Sequence, residues 1–387
     1  MNDVATSSEQ LSPIPTILVI DDMEERLEEL TQAINKLADG RVAVIGWKPA
    51  EEENALDRLQ NLKKERIDLV ITDFDLTHGL RGLYGDSVVA WCQRELIPVG
   101  EYSRRFPAKL PGTPKLLEHE FSADAEVTAE SALNVCLGFD TLSKVINEKR
   151  AGINLPEQEL DAVLATALRR SDLKPELGTY LSSAGRTISE VFARKNRISG
   201  REEQAHESSR DVLDTYVVGH VLRNSVMKFP GPLLSESALC SFFACSDDES
   251  IALTDFFSAC AYEGPFSSDQ TRYFWSDLCE ALIEEESQKE SYIEKVNELL
   301  EQKDFESAAE ERRALLETIL ERSLENHTCD RCAGVRGGYR CPYTNRTVCD
   351  RTDCSVSSSD WIPKGAYLSR IEMDFFETNA PLMDNGD

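Results

Sequence analysis

The sequence predicts an α/β fold, a doubly wound parallel sheet, over the first third of the chain. A mostly α-helical domain and a small cysteine-rich segment are expected to follow. Three observations lead there. Short apolar runs alternate with helix-period stretches from Ile17 to about Ser103, an order that builds parallel sheets with helical crossovers. Beyond about Gly152 the strand signals fade and helical patterns take over. Five cysteines then crowd between Cys329 and Cys354. The expected divisions are a disordered tail at 1–14, the α/β domain at 15–150, the helical domain at 151–325 and a cysteine-rich, zinc-binding segment at 326–387.

The elements follow in order. "ILVIDD" is an unbroken apolar run of the kind buried on both faces of a sheet, and "MEERLEELTQAINKLADG" is an amphipathic helix stopped at Gly40. "RVAVIGW" reads as a second strand and "EEENALDRLQNLKKERI" as a second helix. "DLVITDF", "DSVVAWCQREL" and "IPVGEYS" then give strand, helix and strand. In such folds ligands bind beyond the carboxyl ends of the strands. Further on, leucines recur at helical spacing among the charges between Glu284 and Glu325, which fits a helix packed on its own domain better than a coiled coil.

Composition narrows the function. Among 387 residues, 42 Lys and Arg face 70 Asp and Glu, a net charge of −28. A polyanion without a segregated basic patch repels nucleic acid and anionic membranes, so neither is expected as a partner. No stretch approaches the roughly 18 apolar residues of a membrane span, and "MNDVATSSEQLSPIPT" lacks a basic region followed by an apolar run. A cytoplasmic protein is expected.

The stretch "DLVITDFDLTHG" carries the most chemistry. Asp73-Phe-Asp75-Leu-Thr77 fits the Asp-x-Asp-x-Thr nucleophile motif of haloacid-dehalogenase-type phosphatases, but over five residues only. At least two strands precede it, whereas that family usually carries the motif on its first strand. A second arrangement uses more residues. Asp21-Asp22 end the first strand, Asp73 ends the third, and Ser103 ends the fourth, 30 residues after Asp73. In these positions the chain resembles the response-regulator receiver domain, which has a flavodoxin-like fold.

The resemblance implies that Asp73 is the phosphoacceptor. Asp21, Asp22, Asp73 and the backbone carbonyl of Asp75 would hold Mg²⁺, and Ser103 would contact the phosphoryl group. The chemistry is coherent, because crowded carboxylates need a hard divalent cation. That cation also screens the incoming phosphoryl charge. The chain departs from the family at the fifth strand. A lysine is due there, but no Lys or Arg lies between Lys115 and Lys144, and "LLEHEFSADAEV" holds the place. Lys115 or Lys109 could substitute, and "RRFPAKLPGTPK" replaces a clear fourth helix.

In the cysteine-rich segment, Cys329 and Cys332 form a C-x-x-C knuckle, followed by Cys341, Cys349 and Cys354, with His327 just ahead. Paired thiolates on tight turns are what a tetrahedral Zn²⁺ site uses, and structural zinc is the expectation. Five cysteines exceed four ligands, so at least one is a bystander. Disulfides, buried thiols and a redox role are the alternatives. His220, in "VVGHVLRNSVMKFPG", resembles the phosphoacceptor box of histidine kinases, but no ATP-binding glycine-rich lid follows and a packed helical histidine is expected. The aromatics of "ACAYEGPFSSDQTRYFWSDLC" read as core. No Ser-His-Asp set, Walker loop or dinucleotide fingerprint occurs.

The function expected is two-component signalling. A histidine kinase or phosphotransfer protein would phosphorylate Asp73, and the helical and zinc-binding parts would act through a protein partner. Two alternatives stand beside it. One is a degenerate receiver serving as a non-catalytic adaptor in a multiprotein regulatory or defence complex; the other is an enzyme of unknown type in the helical and zinc-binding parts.

Overall fold

A computed structural model of the chain describes residues 14–50, 54–63, 66–77, 83–102, 115–152, 160–199, 206–268, 270–305, 307–332, 339–341, 346–349, 351–356 and 368–369. It divides into two compact units, one of residues 1–105 with 119–140 and the other of residues 106–118 with 141–387.

The first unit is a five-stranded sheet with flanking helices. Its strands are β1 (Thr16–Ile20), β2 (Ala43–Trp47), β3 (Leu69–Asp73), β4 (Val99–Tyr102) and β5 (His119–Glu120), in the order β2-β1-β3-β4-β5. All pairings are parallel. Every residue of β1 and β3 is buried, as their unbroken apolar runs require. β2 lies at an edge and leaves Ala43 and Gly46 exposed.

The helices of this unit are α1 (Glu24–Ala38), α2 (Ala55–Lys63), α3 (Gly85–Glu95) and α4 (Ala125–Gly152), the last running past residue 140 into the second unit. Leu59 and Leu62 of α2 and Val88, Val89 and Trp91 of α3 share a core with Leu18, Ile20 and Val70, and Ile45 packs against it. The neighbouring Gly46 points the other way, and a Cβ there would meet Leu27 of α1 at 3.3 Å. Helix α1 stops through two left-handed residues, Asp39 at φ 47° and Gly40 at φ 76°, so the expected glycine stop is reached one residue after Asp39 turns the chain.

β5 is only two residues long, and its pairing to β4 depends on Gly100. A Cβ at that position would fall 2.7 Å from the His119 carbonyl oxygen and against the Phe121 ring. Gly100→Ala is therefore expected to destabilise the first unit by about 2 kcal/mol through overpacking. Urea unfolding checks this, and an unchanged midpoint would contradict it.

The second unit contains α5 (Leu160–Ala167), α6 (Lys174–Ser183), α7 (Gly185–Ser199) and α8 (His206–Val221), which runs on into a π-helical turn at Leu222–Val226. A short antiparallel pair, β6 (Leu233–Ser235) and β7 (Tyr273–Trp275), frames α9 (Glu236–Phe242) and α10 (Ser250–Phe256). Next come α11 (Ser276–Ser287), α12 (Ile293–Gln302) and α13 (Ala308–Leu320). Leu316 and Ile319 of α13 enter one core with Leu239, Phe243, Phe257, Phe274 and Ile283. The charged, leucine-spaced stretch thus packs on its own domain. Tyr262, Phe266, Tyr273, Phe274 and Trp275 are all buried, so the aromatic cluster is core. The described residues end in two small antiparallel pairs. The first joins β8 (Tyr339–Arg340) to β9 (Thr347–Val348), and the second joins β10 (Ser355–Val356) to β11 (Leu368–Ser369).

Candidate functional site

β1 and β3 are adjacent and parallel, with Ile20 in register with Thr72, so the residues at their carboxyl ends converge. Asp21 and Asp22 follow β1, and Asp73 closes β3. One carboxylate oxygen from each lies within 4.8 Å of the others, and all three residues are buried. The strand order reverses direction between β1 and β3, the place where open parallel sheets form a ligand crevice.

The surroundings fix these carboxylates. The Met23 backbone N–H donates to Asp21 Oδ1 at 2.7 Å. The Thr72 hydroxyl donates to the Asp73 carbonyl at 3.1 Å. Helix α3 begins directly over the end of β3, where the Gly85 N–H donates to the Phe74 carbonyl at 3.0 Å. A Cβ on residue 85 would lie 2.6 Å from the Asp73 carbonyl oxygen, so this close approach requires glycine.

Two further side chains complete the pocket. Tyr102 is in register with Asp73 across β3 and β4, and its hydroxyl donates to an Asp21 carboxylate oxygen. Arg26, in the first turn of α1, places Nη1 3.5 Å from Asp73 Oδ2. Neither stood out in the sequence. Tyr102 reads as strand packing until the register is known, and Arg26 sits in a run of charges, "EERLEEL", that reads as a solvated helix face.

The other expected site residues are placed as follows. Ser103 and Lys109 lie outside the described residues. Asp75 turns its carboxylate toward Thr77, accepting the Thr77 backbone N–H at 3.1 Å and its hydroxyl at 2.5 Å. Asp75 and Thr77 of the Asp-x-Asp-x-Thr pattern thus form a local turn, which accounts for the threonine without a phosphatase role. Lys115 is half exposed and pairs with Glu118 at 2.7 Å. The fifth strand carries His119 and Glu120 where the family lysine was due.

Burial raises the Asp21 carboxyl above its ordinary range, opposed by the hydrogen bonds from Tyr102 and Met23 and by the charge of Arg26. Burial, followed by the Asp21 charge, pushes Asp73 up to about 6, with Arg26 opposing. Tyr102 is raised as well, by burial and the adjacent Asp21. The pocket therefore concentrates negative charge in poorly hydrated surroundings. Asp21, Asp22 and Asp73 are a set of oxygen donors that could hold a hard cation.

A second constellation lies at the end of the described chain. Sulfur atoms of Cys329, Cys332, Cys349 and Cys354 lie within 4.8 Å of one another. Cys332 Sγ and Cys349 Sγ are 3.8 Å apart, which is too long for a disulfide at about 2.05 Å. It equals the edge, about 3.8 Å, of a tetrahedron with metal–sulfur bonds near 2.3 Å. Burial raises the Cys329 thiol, but backbone N–H groups of Cys332, Arg331 and Cys349 outweigh it and bring the thiol down to about 7. The same N–H groups would stabilise a metal-bound thiolate.

Of the five cysteines offered by sequence, Cys341 is buried but stands outside this quartet. Its N–H donates to the Arg346 carbonyl at 2.9 Å, beside the β8–β9 pair. His327 also stands outside the quartet; it is buried against the helical core, its N–H donating to the Ala244 carbonyl at 3.0 Å. Within the second unit, Arg340 of β8 forms a two-pronged ion pair with Asp247, tying the cysteine segment to the helices.

His220 is fully buried at the end of α8, edge-on to Tyr216 with ring centroids 4.5 Å apart. Burial lowers its pKa to about 3, which favours the neutral imidazole. Among the described residues no helix is long and apolar enough to cross a membrane. No protein-family model and no characterised protein matches the chain, and the functional reading stands on the geometry above.

Proposed function

We propose that the first unit is a doubly wound receiver-type switch, phosphorylated on Asp73 with Mg²⁺, and that the second unit is its output module. The observation that carries the reading is the buried trio Asp21, Asp22 and Asp73, brought within 4.8 Å at the carboxyl ends of adjacent parallel strands. The strand order β2-β1-β3-β4-β5 supports it, being the order of flavodoxin-like folds including receivers.

The donor set fits the metal. Three carboxylates offer hard oxygen ligands and Arg26 offsets one charge, leaving a net deficit that a divalent cation neutralises. Asp21, Asp22 and Asp73 would hold Mg²⁺ together with the Asp75 carbonyl, and the ion would screen the charge of an arriving phosphoryl group. The protein's own part is orientation. The amide of Met23 and the hydroxyl of Tyr102 fix Asp21. The packing of Gly85 and Thr72 on the Asp73 carbonyl holds the nucleophile at the end of β3.

A histidine kinase or phosphotransfer protein would supply the phosphoryl group. The acidic chain suits an output through protein–protein contacts rather than DNA. The four-cysteine cluster would bind structural Zn²⁺ and stabilise the end of that module. One observation favours a second reading, a degenerate receiver used as an adaptor surface: β5, His119–Glu120, itself carries no lysine. The test is intact-mass spectrometry after incubation with Mg²⁺ and acetyl phosphate. One phosphoryl adduct on the wild type, absent from Asp73→Asn, supports the switch; no adduct on either supports the adaptor.

A further inference from the structure

We infer that Arg26 is the cationic group that receives the phosphoryl oxygens at Asp73, taking the place that the fifth strand leaves without a basic residue. This rests on the receiver reading above. Arg26 Nη1 is 3.5 Å from Asp73 Oδ2, the side chain remains partly open to solvent, and Asp73 itself is buried. The Arg26 side chain is thus both within reach of the buried carboxylate and partly open to solvent. Between Lys115 and Lys144 the chain has no Lys or Arg, so β5 itself supplies no such charge, and Lys115 ahead of it is paired with Glu118 at 2.7 Å.

The chemistry requires a cation there. An ionised Asp73 oxygen attacks phosphorus, a new O–P bond forms, and the P–O bond to the acyl oxygen of acetyl phosphate breaks. Acetate leaves with the electron pair, and no proton needs to move. The dianionic phosphoryl group then stands where the free carboxylate oxygen stood. The single charge of the Asp73 carboxylate has become the two of an acyl phosphate, one more than Mg²⁺ and Arg26 together offset before the transfer. Arg26 lowers the cost of that state, because its planar fork exchanges a single long contact to Asp73 for paired hydrogen bonds to phosphoryl oxygens. Its position on α1 matters too: it sits at the helix start, between the acidic pair and the rest of that helix, so a change of partner shifts the first turn of α1.

The role predicts effects of opposite sign. Removing a positive charge from beside three carboxylates strengthens Mg²⁺ binding, while it weakens the phosphorylated state. In Arg26→Ala, Mg²⁺ affinity from a thermal-shift titration should be equal to or up to about tenfold higher than wild type. The yield of the acetyl phosphate adduct should fall at least about tenfold, and Arg26→Lys should restore part of it. A merely structural arginine would instead lower melting temperature, Mg²⁺ affinity and adduct together. That pattern, or full labelling of Arg26→Ala beside a labelled wild type, overturns the inference and leaves the receiver reading intact. A wild type that stays unlabelled while a control receiver is labelled overturns both.

Discussion

Cys349→Ser is expected to reduce bound zinc from about one ion per chain to near zero, whereas Cys341→Ser leaves it unchanged. The two side chains are equally buried, at 0% and 2% exposure, and occur in the same short segment, yet only Cys349 belongs to the converging quartet. Among the described residues, the segment is otherwise held chiefly by the Arg340–Asp247 ion pair and by the His327 N–H on the Ala244 carbonyl. Its described strands are pairs of two residues each, and its buried cluster consists of Cys329, Cys349 and Cys354. Structural zinc sites contribute on the order of 10 kcal/mol to folding. Loss of the ion should therefore expose the stretch around residues 326–356 to proteolysis while the first unit stays resistant. Metal analysis of the purified variants, paired with limited proteolysis, checks both parts. Equal zinc loss from the two variants would show that the quartet is misassigned.

The second large effect concerns the acid pocket. Asp73→Asn is expected to raise the metal-free melting temperature of the first unit near neutral pH by several degrees, corresponding to about 1–2 kcal/mol. The sign follows from the direction of the shift. Asp73 is raised from 3.8 to about 6 in the folded protein. Between those values the native state holds a proton that the unfolded chain has released, so stability falls as pH rises through about 6. Above that, an ionised Asp73 beside Asp21 is a standing cost, and partial solvent screening keeps it below the full value of the shift. Asparagine removes the cost, and the advantage should shrink at pH 5, where Asp73 is protonated. Saturating Mg²⁺ should stabilise the wild type more than the variant. Melting curves at pH 5 and pH 7.5 with and without Mg²⁺ measure all of this; an Asp73→Asn protein less stable at pH 7.5 would contradict it.

Much of the first unit was legible because burial on two faces leaves a plain mark. "ILVI" and "LVIT" need no alternation, and acids directly after such runs stand out. β5 was not visible as a strand, since His119-Glu120 has neither apolar content nor length; its pairing is set by the bare backbone of Gly100. Tyr102 was missed for a related reason. Its place opposite Asp73 follows from the β3–β4 register, which only the paired strands show. Arg26 was hidden among five charges in seven residues, where helix periodicity alone cannot single out the one that reaches across to β3. The C-x-x-C knuckle marked out the thiol cluster, but spacing could not choose among the later cysteines. Only the structure shows that Cys349 and Cys354 converge on the knuckle while Cys341 stands apart.

Whether Asp73 accepts a phosphoryl group is read by intact-mass spectrometry. Wild type and Asp73→Asn would be incubated with Mg²⁺ and acetyl phosphate alongside a receiver of known competence. A single phosphoryl adduct is expected on the wild type, absent from the variant and from a sample treated with a metal chelator. An unlabelled wild type beside a labelled control would contradict it.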